Sequence, residues 1–391
     1  MNWLHEVSIK DICDLITVKT NIKNASIENY ISTENMLPNF GGVEHAEKLP
    51  TSNTVNTFIP QDILFSNIRT YFKKVWFSRF NGTASADVLV FRAKDNCDSK
   101  FLYYLMCDPS FIEYTVLTSK GAKMPRGDKD AIFSYTVSLP SIQEQKAIAS
   151  VLSSLDDKID LLHRQNKTLE SMAETLFRQW FDVDSNDEWQ EKNVLDIFTL
   201  VGGGTPKTSV AEYWTDEIPW VSGGDISAAH QGYLYSTEKS ISLAGLQNSS
   251  AKLLPKNSTV ISARGTVGKY ALLARDMAFS QSNYGIVSKI GNYPFFIYLL
   301  IGFIVDDLLT AAYGSVFDTI TTRTFESVNL KFPSLNSIEK FNEEISPIFS
   351  KKETNTQQIK TLETLRDTLL PKLMSGEVRV QYAEEKLESV A

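Results

Sequence analysis

Residues 141–181 read SIQEQKAIASVLSSLDDKIDLLHRQNKTLESMAETLFRQWF. The apolar residues of this stretch recur at alternating intervals of four and three, which is the heptad rhythm of a coiled-coil helix. Ser141 with Glu144 three residues later is typical of a helix N-terminus. The stretch predicts a helix about 60 Å long. The residues at these heptad positions form one face, here called the seam, which needs a partner to pack against. The seam residues are Ile148, Leu152, Leu155, Ile159, Leu162, Asn166 and Leu169.

A second stretch repeats this pattern 193 residues later. Residues 344–374 read EISPIFSKKETNTQQIKTLETLRDTLLPKLM, and both stretches follow a Pro-Ser pair, at Pro140 and at Pro333. Polar residues at seam positions specify register and partner, so we expect the two helices to pack against each other. Two unrelated surface helices are the alternative. The second seam is Phe341, Ile345, Ile348, Lys352, Asn355, Ile359, Leu362 and Leu369.

The segments that precede the helices are also related. Phe58–Arg69 (FIPQDILFSNIR) resembles Leu253–Arg264 (LLPKNSTVISAR) at an offset of 195 residues. Matching blocks in the same order at a nearly constant offset indicate a duplicated architecture. Alternating apolar and polar residues, as in Thr83–Phe91, predict strands, and Lys100–Cys107 reads as a buried helix. We therefore predict two similar α+β modules, each followed by a long helix.

The repeat also sets the expected boundaries. Pro347 should kink the second helix or delay its start, and Gly376 should end it near Met374. The segment between the two copies is acidic and polar, as a linker often is. We expect a first module at 1–140, a central helix at 141–181, a linker at 182–192, a second module at 193–333, a C-terminal helix at 334–376 and a tail at 377–391.

The composition is that of an ordinary globular protein. The chain has 391 residues, 42% of them hydrophobic and 22% charged, which excludes collagen and low-complexity disorder. Its three cysteines show no paired spacing and predict reduced thiols. The longest apolar run, Phe295–Val305, has eleven residues, too few to span a bilayer, and predicts a buried helix. We expect a soluble, cytoplasmic protein with no membrane partner.

The charge is unevenly distributed along the chain. The net charge is −8 and the pI is about 5.3, yet Ile63–Ala86 contains no acid and carries +4, and Lys252–Arg275 contains no acid and carries +5. Two basic segments in an acidic chain indicate two local anion contacts. Salt-bridged surface strands are the alternative. The cations that we expect to contact an anion are Arg69, Lys73 and Lys74 in the first segment and Arg264 and Lys269 in the second.

Known catalytic motifs are absent or incomplete. The Gly-rich segment GGGTPKTS lacks the glycine that a phosphate-binding loop places before its lysine. Asp108–Phe111 (DPSF) is similar to the adenine-methyltransferase tetrapeptide but lacks its second proline, so a turn in a helical hairpin is the simpler interpretation. The chain has no G-x-S-x-G or H-E-x-x-H motif, and its four histidines lie far apart in sequence. We therefore expect no active site.

Several motifs together resemble those of the DNA-specificity subunits of type I restriction–modification enzymes. They are GGGTPKTSVAEYWTDEIPWVSGGDI, LPKNSTVISARGTVGKYALL, SQSNYGI, GAKMPRGDKDAI, LPSIQEQKAIASVLSSLDDKID and LETLRDTLLPKLMSGEVRV. The first module lacks the Gly-Gly-Thr-Pro loop of the second. The resemblance implies two target-recognition domains separated by two long helices that form an antiparallel coiled coil, with a pseudo-twofold internal repeat.

The resemblance also implies a function and partners. Each recognition domain would read one half of a split, asymmetric site in double-stranded DNA. Two methylation subunits would dock on the helices, and restriction or motor subunits would join them. This chain would bind no cofactor, because S-adenosylmethionine, ATP and Mg²⁺ would serve the partner subunits. A non-catalytic protein-interaction scaffold that does not bind DNA is the alternative, and the acidic pI favours it. A stand-alone methyltransferase is disfavoured by its missing motifs.

Base reading needs side chains that can pair with base edges, namely Arg, Lys, Asn or Gln. Two loops have this composition, and ordinary turn chemistry is their alternative interpretation. Lys207 follows the Gly-rich loop and is a further candidate for DNA contact. The first loop contributes Lys123, Arg126 and Lys129, and the second contributes Gln281, Ser282, Asn283 and Tyr284.

Overall fold

The computed structural model describes residues 5–181, 189–313 and 319–380. The chain divides into two compact units. The first unit comprises residues 1–160 and 360–391, and the second comprises residues 161–359. Each of two long helices therefore contributes one part to each unit. Residues 182–188 of the expected linker and 381–391 of the expected tail lie outside the described residues.

The first unit mixes short strands and short helices. Its strands are β1 (His5–Ser8), β2 (Cys13–Leu15), β3 (Lys19–Asn21), β4 (Tyr30–Ile31), β5 (Thr54–Phe58), β6 (Ile63–Ser66), β7 (Val75–Phe77), β8 (Gly82–Ala84), β9 (Val88–Ala93) and β10 (Thr136–Leu139). Its short helices are α1 (Ile9–Ile12), α2 (Ser99–Cys107), α3 (Pro109–Leu117) and α4 (Lys129–Ser134). The first long helix, α5 (Ile142–Trp180), follows β10.

The second unit has a similar content. Its strands are β11 (Gln190–Asn193), β12 (Phe198–Gly202), β13 (Ile218–Val221), β14 (Tyr233–Leu234), β15 (Lys239–Ile241), β16 (Leu253–Leu254), β17 (Thr259–Ser262), β18 (Tyr270–Leu273), β19 (Met277–Phe279), β20 (Asn283–Ser288) and β21 (Asn329–Phe332). Its shorter helices are α6 (Val194–Ile197), α7 (Gly223–Ala228), α8 (Leu243–Gln247), α9 (Pro294–Tyr313) and α10 (Thr322–Glu326). The second long helix is α11 (Leu335–Met374).

The central strands of the sheets in the two units have the same order, which confirms the predicted repeat. The order β2-β9-β6-β7 in the first unit corresponds to β12-β20-β17-β18 in the second, where β14 extends the sheet. In a second sheet, β8 pairs antiparallel with β5 and parallel with β4. In the same way, β19 pairs antiparallel with β16 and parallel with β13. An antiparallel pair, β1 with β10 or β11 with β21, precedes each long helix.

Each unit has its own apolar core. In the first unit, α2 and α3 bury Phe101 and Phe111 against β6 and β9. The DPSF segment is the junction of these helices, where the Asp108 carboxylate caps α3 by accepting the Ser110 N–H at 2.8 Å. This geometry matches the predicted turn in a helical hairpin.

Helix α9 is the core helix of the second unit. It is longer than its run of eleven apolar residues, because it continues through Asp306 and Asp307 to Tyr313. Its length and composition would suffice to cross a membrane. In this structure, however, half of its most apolar stretch is buried inside the protein, and side chains such as Tyr298 and Ile301 lie in the core. An apolar helix that is packed in this way is typical of a protein core.

The long helices contact each other within each unit. In the first unit, Leu152 of α5 shares a core with Leu370 and Leu373 of α11. In the second unit, Phe177 and Phe341 are both buried, and their ring centroids lie 5.8 Å apart. Every residue of the two predicted seams is buried or half-buried. The two helices are therefore partners, as the sequence predicts, and their supercoiling stays a prediction.

The polar seam residues fix the direction of this packing in the second unit. The Asn355 amide donates to Asn166 Oδ1 at 3.0 Å, and Asn166 donates to Thr356 Oγ1 at 3.1 Å. Further along, Trp180 Nε1 donates to Glu344 at 3.0 Å. Positions rise along α5 as they fall along α11, so the two helices run antiparallel here.

The ends of the long helices follow their sequence signals in part. Ser141 Oγ accepts the Glu144 N–H at 3.4 Å at the start of α5. Helix α11 ends at Met374, and Gly376 adopts a φ of 76°, in agreement with the expected stop. Pro347 does not delay the start, because α11 begins twelve residues earlier at Leu335.

Candidate nucleic-acid interface

A basic turn lies at the tip of the same hairpin in each unit. Residues 67–74 join β6 to β7, and residues 263–269 join β17 to β18. In each hairpin, a serine ends the first strand and its N–H closes the turn. The Ser66 N–H donates to the Lys74 carbonyl at 3.0 Å, and the Ser262 N–H donates to the Lys269 carbonyl at 2.8 Å. The two basic segments that align by sequence are therefore structural equivalents.

In the first unit, a second loop lies directly against the basic turn. The Arg69 N–H donates to the Pro125 carbonyl at 2.8 Å, and Ile68 forms an isolated β-bridge with Arg126. The loop that contains Lys123 and Arg126 is thereby fixed beside Arg69. Candidates that lie more than fifty residues apart in sequence come together on one surface.

Most cations of this first surface are accessible. Lys73, Lys123, Arg126 and Lys129 are exposed, and Lys129 opens helix α4. Arg126 forms an ion pair with Asp87 at 3.0 Å, in which both side chains are partly exposed. An exposed pair of this kind is worth less than about 1 kcal/mol, so Arg126 can exchange Asp87 for another partner at little cost.

Lys74, another of the predicted anion contacts, is less accessible than Lys73. Its ammonium group donates to the Thr33 carbonyl at 2.7 Å and lies 5.8 Å from the centre of the Phe72 ring. Burial lowers the pKa of this group. Lys74 therefore stabilises the turn through its contacts inside the protein. Its charge is less accessible to an external anion than that of Lys73.

Arg69 holds an unusual position at the start of the turn. Its φ is 50°, and that of Lys73 is 54°, so both lie in the left-handed region that non-glycine residues seldom adopt. The Nε of Arg69 is buried and has no hydrogen-bond partner among the described residues. An unsatisfied buried donor costs about 1–3 kcal/mol, so an acceptor that reached this group would be favoured.

The second unit brings its candidates together in a similar way. The Ala263 N–H donates to the Ser282 carbonyl at 2.9 Å, which places the loop of Gln281 beside the turn of Arg264 and Lys269. Gln281 and both cations are exposed. Neither Arg264 nor Lys269 forms an ion pair within the part of the chain that the structure describes. Two exposed cations and an exposed amide thus share one surface.

Asn283, which is predicted to read bases, is buried in this structure. Its side chain is 1% exposed, and its amide donates to Ser280 Oγ at 2.9 Å and to the Val221 carbonyl at 3.3 Å. Tyr284 is half-buried, with its ring against that of Phe325. These two side chains hold the loop in place, because the strand β20 begins at Asn283 and turns it inward.

Glycines of the Gly-rich loop are required for close packing of the backbone. A Cβ on Gly203 would lie 2.2 Å from the Ser280 carbonyl oxygen, so only glycine fits. The Gly204 N–H donates to the Phe279 carbonyl at 2.9 Å, and the Gly204 carbonyl accepts from Trp220 Nε1 at 2.9 Å. The polar backbone groups of Gly204 are therefore already paired within the protein.

Lys207 stands apart from the other candidates. It is exposed, and its carbonyl accepts the Trp214 indole N–H at 3.3 Å. In the described ranges, no hydrogen bond or ion pair joins its side chain to the basic turn of the second unit. Those residues likewise contain no group of three or more His, Cys, Asp or Glu side chains that could hold a metal ion.

Comparison with known proteins assigns the fold to a family. A family model described as "Type I restriction modification DNA specificity domain" matches residues 2–171 and residues 186–364. The chain belongs to this family. Because the domain matches once in each half, the type I specificity domain is the repeated unit that the two sheet systems display.

Known specificity subunits resemble the chain over most of its length. The MjaIX specificity subunit of Methanocaldococcus jannaschii is 28% identical over 309 residues, which cover 74% of this chain and 71% of the relative. The HindI specificity subunit of Haemophilus influenzae is 23% identical over 401 residues, which cover 81% and 86%. The crystal structure of a type I restriction–modification S subunit from M. genitalium covers 96% of both chains, with a TM-score of 0.61 at 15% identity. The last comparison supports the fold.

Two residues of the first surface escaped the sequence analysis. Tyr71 and Phe72 lie between Arg69 and Lys73, and the two residues are 47% and 40% exposed. Aromatic residues usually indicate a core, so composition alone gave no reason to select them. Their position inside an acid-free segment of a type I specificity domain was the available signal.

Proposed function

We propose that this chain is the sequence-recognition subunit of a type I restriction–modification complex. Each unit binds one half of a split, asymmetric site in double-stranded DNA. The observation that carries the proposal is the basic hairpin turn, which occurs in both units and lies beside a second polar loop in each. A repeated surface of this kind suits two half-sites that are read separately.

The exposed cations divide into two roles. Contacts with phosphate position a protein on DNA, whereas contacts with base edges specify the sequence. Lys73, Arg264 and Lys269 serve the first role, since they are charged side chains on tight turns. Arg126 and Gln281 serve the second role, because guanidinium and amide groups form paired hydrogen bonds with guanine and adenine in the major groove.

The remaining candidates extend these surfaces. Lys123 and Lys129 lie on the loop and helix that flank Arg126, and Arg69 anchors that loop through its N–H. Lys207 contributes a more distant phosphate contact. Such electrostatic contacts also explain how a chain with a net charge of −8 can bind DNA, since local potential and not net charge meets the phosphates.

The chemistry of the complex resides in the partner subunits. Two methylation subunits dock on α5 and α11 and transfer methyl groups from S-adenosylmethionine to adenine. Restriction and motor subunits join them and use ATP and Mg²⁺, and the complex acts in the cytoplasm. Exposed apolar side chains on the long helices support a docking role, among them Leu161, Met172 and Leu365, which are 40%, 48% and 44% exposed. Family membership assigns a non-catalytic part to this chain.

A protein-interaction scaffold is the second candidate, and the acidic composition is the observation that favours it. A scaffold would pair the exposed cations of the two hairpins with carboxylates of a protein partner and not with phosphates. The two functions differ in a simple measurement, namely the affinity of the complex for duplex DNA of random and of defined sequence.

The decisive experiment co-expresses the chain with its methylation subunits and sequences the methylome of the host. We expect methylated adenines within a bipartite, asymmetric motif, and the purified complex should bind a duplex with that motif in preference to a scrambled duplex. Methylation without a bipartite motif, or equal affinity for both duplexes, would contradict the proposal. Omitting this chain from the co-expression is the control, and it should abolish the pattern.

A further inference from the structure

Two exposed aromatic side chains form a ridge at the tip of the first hairpin. Tyr71 and Phe72 lie in a short 3-10 turn (Thr70–Phe72), and their ring centroids are 4.7 Å apart with an angle of 52° between the rings. The two residues are 47% and 40% exposed. Exposed apolar groups that adjoin each other mark interaction sites more often than isolated ones do.

The backbone holds this ridge rigidly. Left-handed residues flank it on both sides, at Arg69 and Lys73. The N–H of Asn39 donates to the Phe72 carbonyl, and the N–H of Phe40 donates to the Lys73 carbonyl, each at 2.9 Å. Strained backbone that its surroundings hold in place is concentrated at functional sites. A rigid contact surface also loses little conformational entropy when it binds.

The equivalent turn of the second unit shows that the hairpin itself does not require the rings. At the offset of 195, Thr266 and Val267 take their places. Thr266 Oγ1 donates to the Gly223 carbonyl at 3.2 Å, and Val267 packs against the apolar core. The left-handed residues of this turn are Gly265 and Gly268, which adopt positive φ without strain. Only the first unit presents two aromatic rings to solvent at this position.

The charges around the ridge select the chemistry of its partner. The segment from Ile63 to Ala86 contains no acid, Lys73 is exposed beside the rings, and the buried Nε of Arg69 lacks an acceptor among the described residues. An exposed cation beside exposed rings in an acid-free segment matches a ligand that has anionic groups next to flat, apolar faces. Duplex DNA has this arrangement of phosphates and bases.

We propose that Tyr71 and Phe72 make the apolar base contact of the first half-site and help to determine its sequence. This inference rests on the proposed function and adds the residues by which one unit differs from the other. The rings contact base pairs in the groove while Lys73 contacts the adjoining phosphate. Aromatic and other apolar side chains discriminate bases through the thymine methyl group or through contact with the base step.

The test uses the complex of the full chain with its methylation subunits and the motif found by methylome sequencing. Duplexes with single substitutions in either half of the motif are titrated against wild type and against the Tyr71→Ser/Phe72→Ser variant. Wild type should discriminate against such substitutions by about tenfold. In the variant, discrimination at one or more base pairs of the first half should fall to about twofold or less, while discrimination in the second half stays unchanged.

Two results would overturn the inference. The first is that the variant discriminates between bases in the first half of the motif as well as wild type does. The second is an equal loss of discrimination in both halves, which indicates a defect of the whole complex. Tyr71→Phe/Phe72→Tyr keeps both rings and should preserve discrimination. If the serine variant does not assemble, Tyr71→Gln/Phe72→Gln is titrated in its place under the same criteria. If wild type itself fails to discriminate in either half, the proposed function is refuted. That outcome is distinct from failure of the present inference, in which wild type discriminates and the variant does so equally well.

Discussion

Lys73 and Lys269 are exposed lysines, one on each basic turn, and neither forms an ion pair within the described ranges of the chain. We expect Lys73→Gln and Lys269→Gln to weaken binding of the complex to every duplex, specific or not. Each lost phosphate contact releases one fewer condensed counterion, so the slope of log affinity against log salt should flatten by about 0.9 per lysine. Fluorescence anisotropy at several salt concentrations measures the slope.

The matched control for these substitutions is Lys48→Gln. Lys48 is also an exposed lysine of the first unit, but it lies outside the two acid-free segments. Its slope should equal that of wild type. Equal slopes for wild type and both turn variants would show that the basic turns do not contact phosphate.

His230 links protonation to the stability of the second unit. Burial first, and the positive charge of nearby Lys269 second, lower the pKa of this side chain. The folded state therefore binds the proton less well than the unfolded chain, whose histidine pKa is about 6.5. The stability that neutral His230 contributes is fully present above about pH 6.5 and is lost as the pH falls through the lower folded-state pKa.

We therefore expect wild type to lose more thermal stability than His230→Gln between pH 7.5 and pH 5.5. Differential scanning fluorimetry at both pH values measures the two changes in Tm. Other groups titrate equally in both proteins, so the difference between the two changes isolates His230. An identical change in both proteins would contradict the linkage.

Residue types in the sequence identified the charged surface better than they identified its base-reading groups. Arg264 and Lys269 could be selected because acid-free segments recur at a fixed offset. Asn283 was selected for its amide, yet that amide is buried in hydrogen bonds with Ser280 and Val221. Whether an amide at a strand end points to solvent depends on tertiary contacts, which local turn chemistry does not determine.

Among the elements, the long helices of the second unit enclose a buried ionic cluster. Lys352 donates to the Glu170 carboxylate and to the Gln231 carbonyl at 2.8 Å, and the Tyr298 hydroxyl donates to Glu170 at 3.0 Å. The side chains of Lys352 and Glu170 are only 7% and 12% exposed. Removal of one charge leaves the other without a counter-charge in a poorly solvated site, which costs about 3–5 kcal/mol.

A double-mutant cycle tests this cluster. Lys352→Met and Glu170→Leu should each lower the free energy of unfolding strongly, whereas the double variant should be less destabilised than either single variant, because it contains no unpaired buried charge. Denaturant unfolding measures the free energy of unfolding of wild type, the two single variants and the double variant. The exposed pair Arg79–Asp160 is the control, and Arg79→Met should cost less than about 1 kcal/mol. Additive losses in the cycle would contradict coupling between the two charges.

Neighbouring leucines on α5 separate the packing of the helix from its surface. Leu162 is 1% exposed, whereas Leu161 is 40% exposed. Leu162→Asp should destabilise the second unit by several kcal/mol, because it buries a carboxylate without a partner. Leu155→Asp, at a half-buried position of the first unit, should also lower the free energy of unfolding, but by a smaller amount. Both changes should impair assembly with the methylation subunits.

Leu161→Asp is the control for stability within the same turn, and not for assembly, because Leu161 lies on the proposed docking surface. It should leave the thermal unfolding of the isolated chain unchanged, since the new carboxylate stays in water. Circular dichroism measures unfolding, and size-exclusion chromatography with the methylation subunits measures assembly. Equal Tm values for Leu161→Asp and Leu162→Asp would show that the seam has been assigned to the wrong face.

At the element scale, periodicity predicted the long helices well and the local contexts less well. Helix α11 passes through Pro347 because the flanking turns, from Phe341 to Phe349, are fixed by burial in the core. Helix α9 extends beyond its apolar run because Leu308 and Ala312 continue its buried face after two aspartates. In both cases tertiary packing outweighs a local signal that would end or interrupt a helix.

Over the whole molecule, duplication and divergence have separate physical signatures. The shared order of the central strands and the similar turns after β4 and β13 come from duplication. In these turns, the Ser32 N–H donates to Asn35 Oδ1 as the Ser222 N–H donates to Asp225 Oδ2. The exposed side chains on the hairpin turns have diverged. Because the scaffold is common while the surfaces differ, each unit can read a different sequence with the same backbone.

A module exchange tests this separation at the scale of the whole chain. Residues 1–140 are replaced by the corresponding module of another type I specificity subunit, while both long helices are kept. The helix residues that pack in the core of the first unit are kept, because Ile148, Leu152, Leu370 and Leu373 remain. We expect assembly with the methylation subunits to persist, and the methylated motif to change in one half only, as measured by methylome sequencing.

The reciprocal exchange of residues 193–333 is the matched control, and it should change the other half of the motif. The two exchanges together assign each half-site to one module, because a structural defect would affect both halves or abolish methylation. A change in both halves after either exchange would show that the modules do not read DNA independently. The prediction follows from the two separate cores, since each recognition surface is built on strands and turns of one unit.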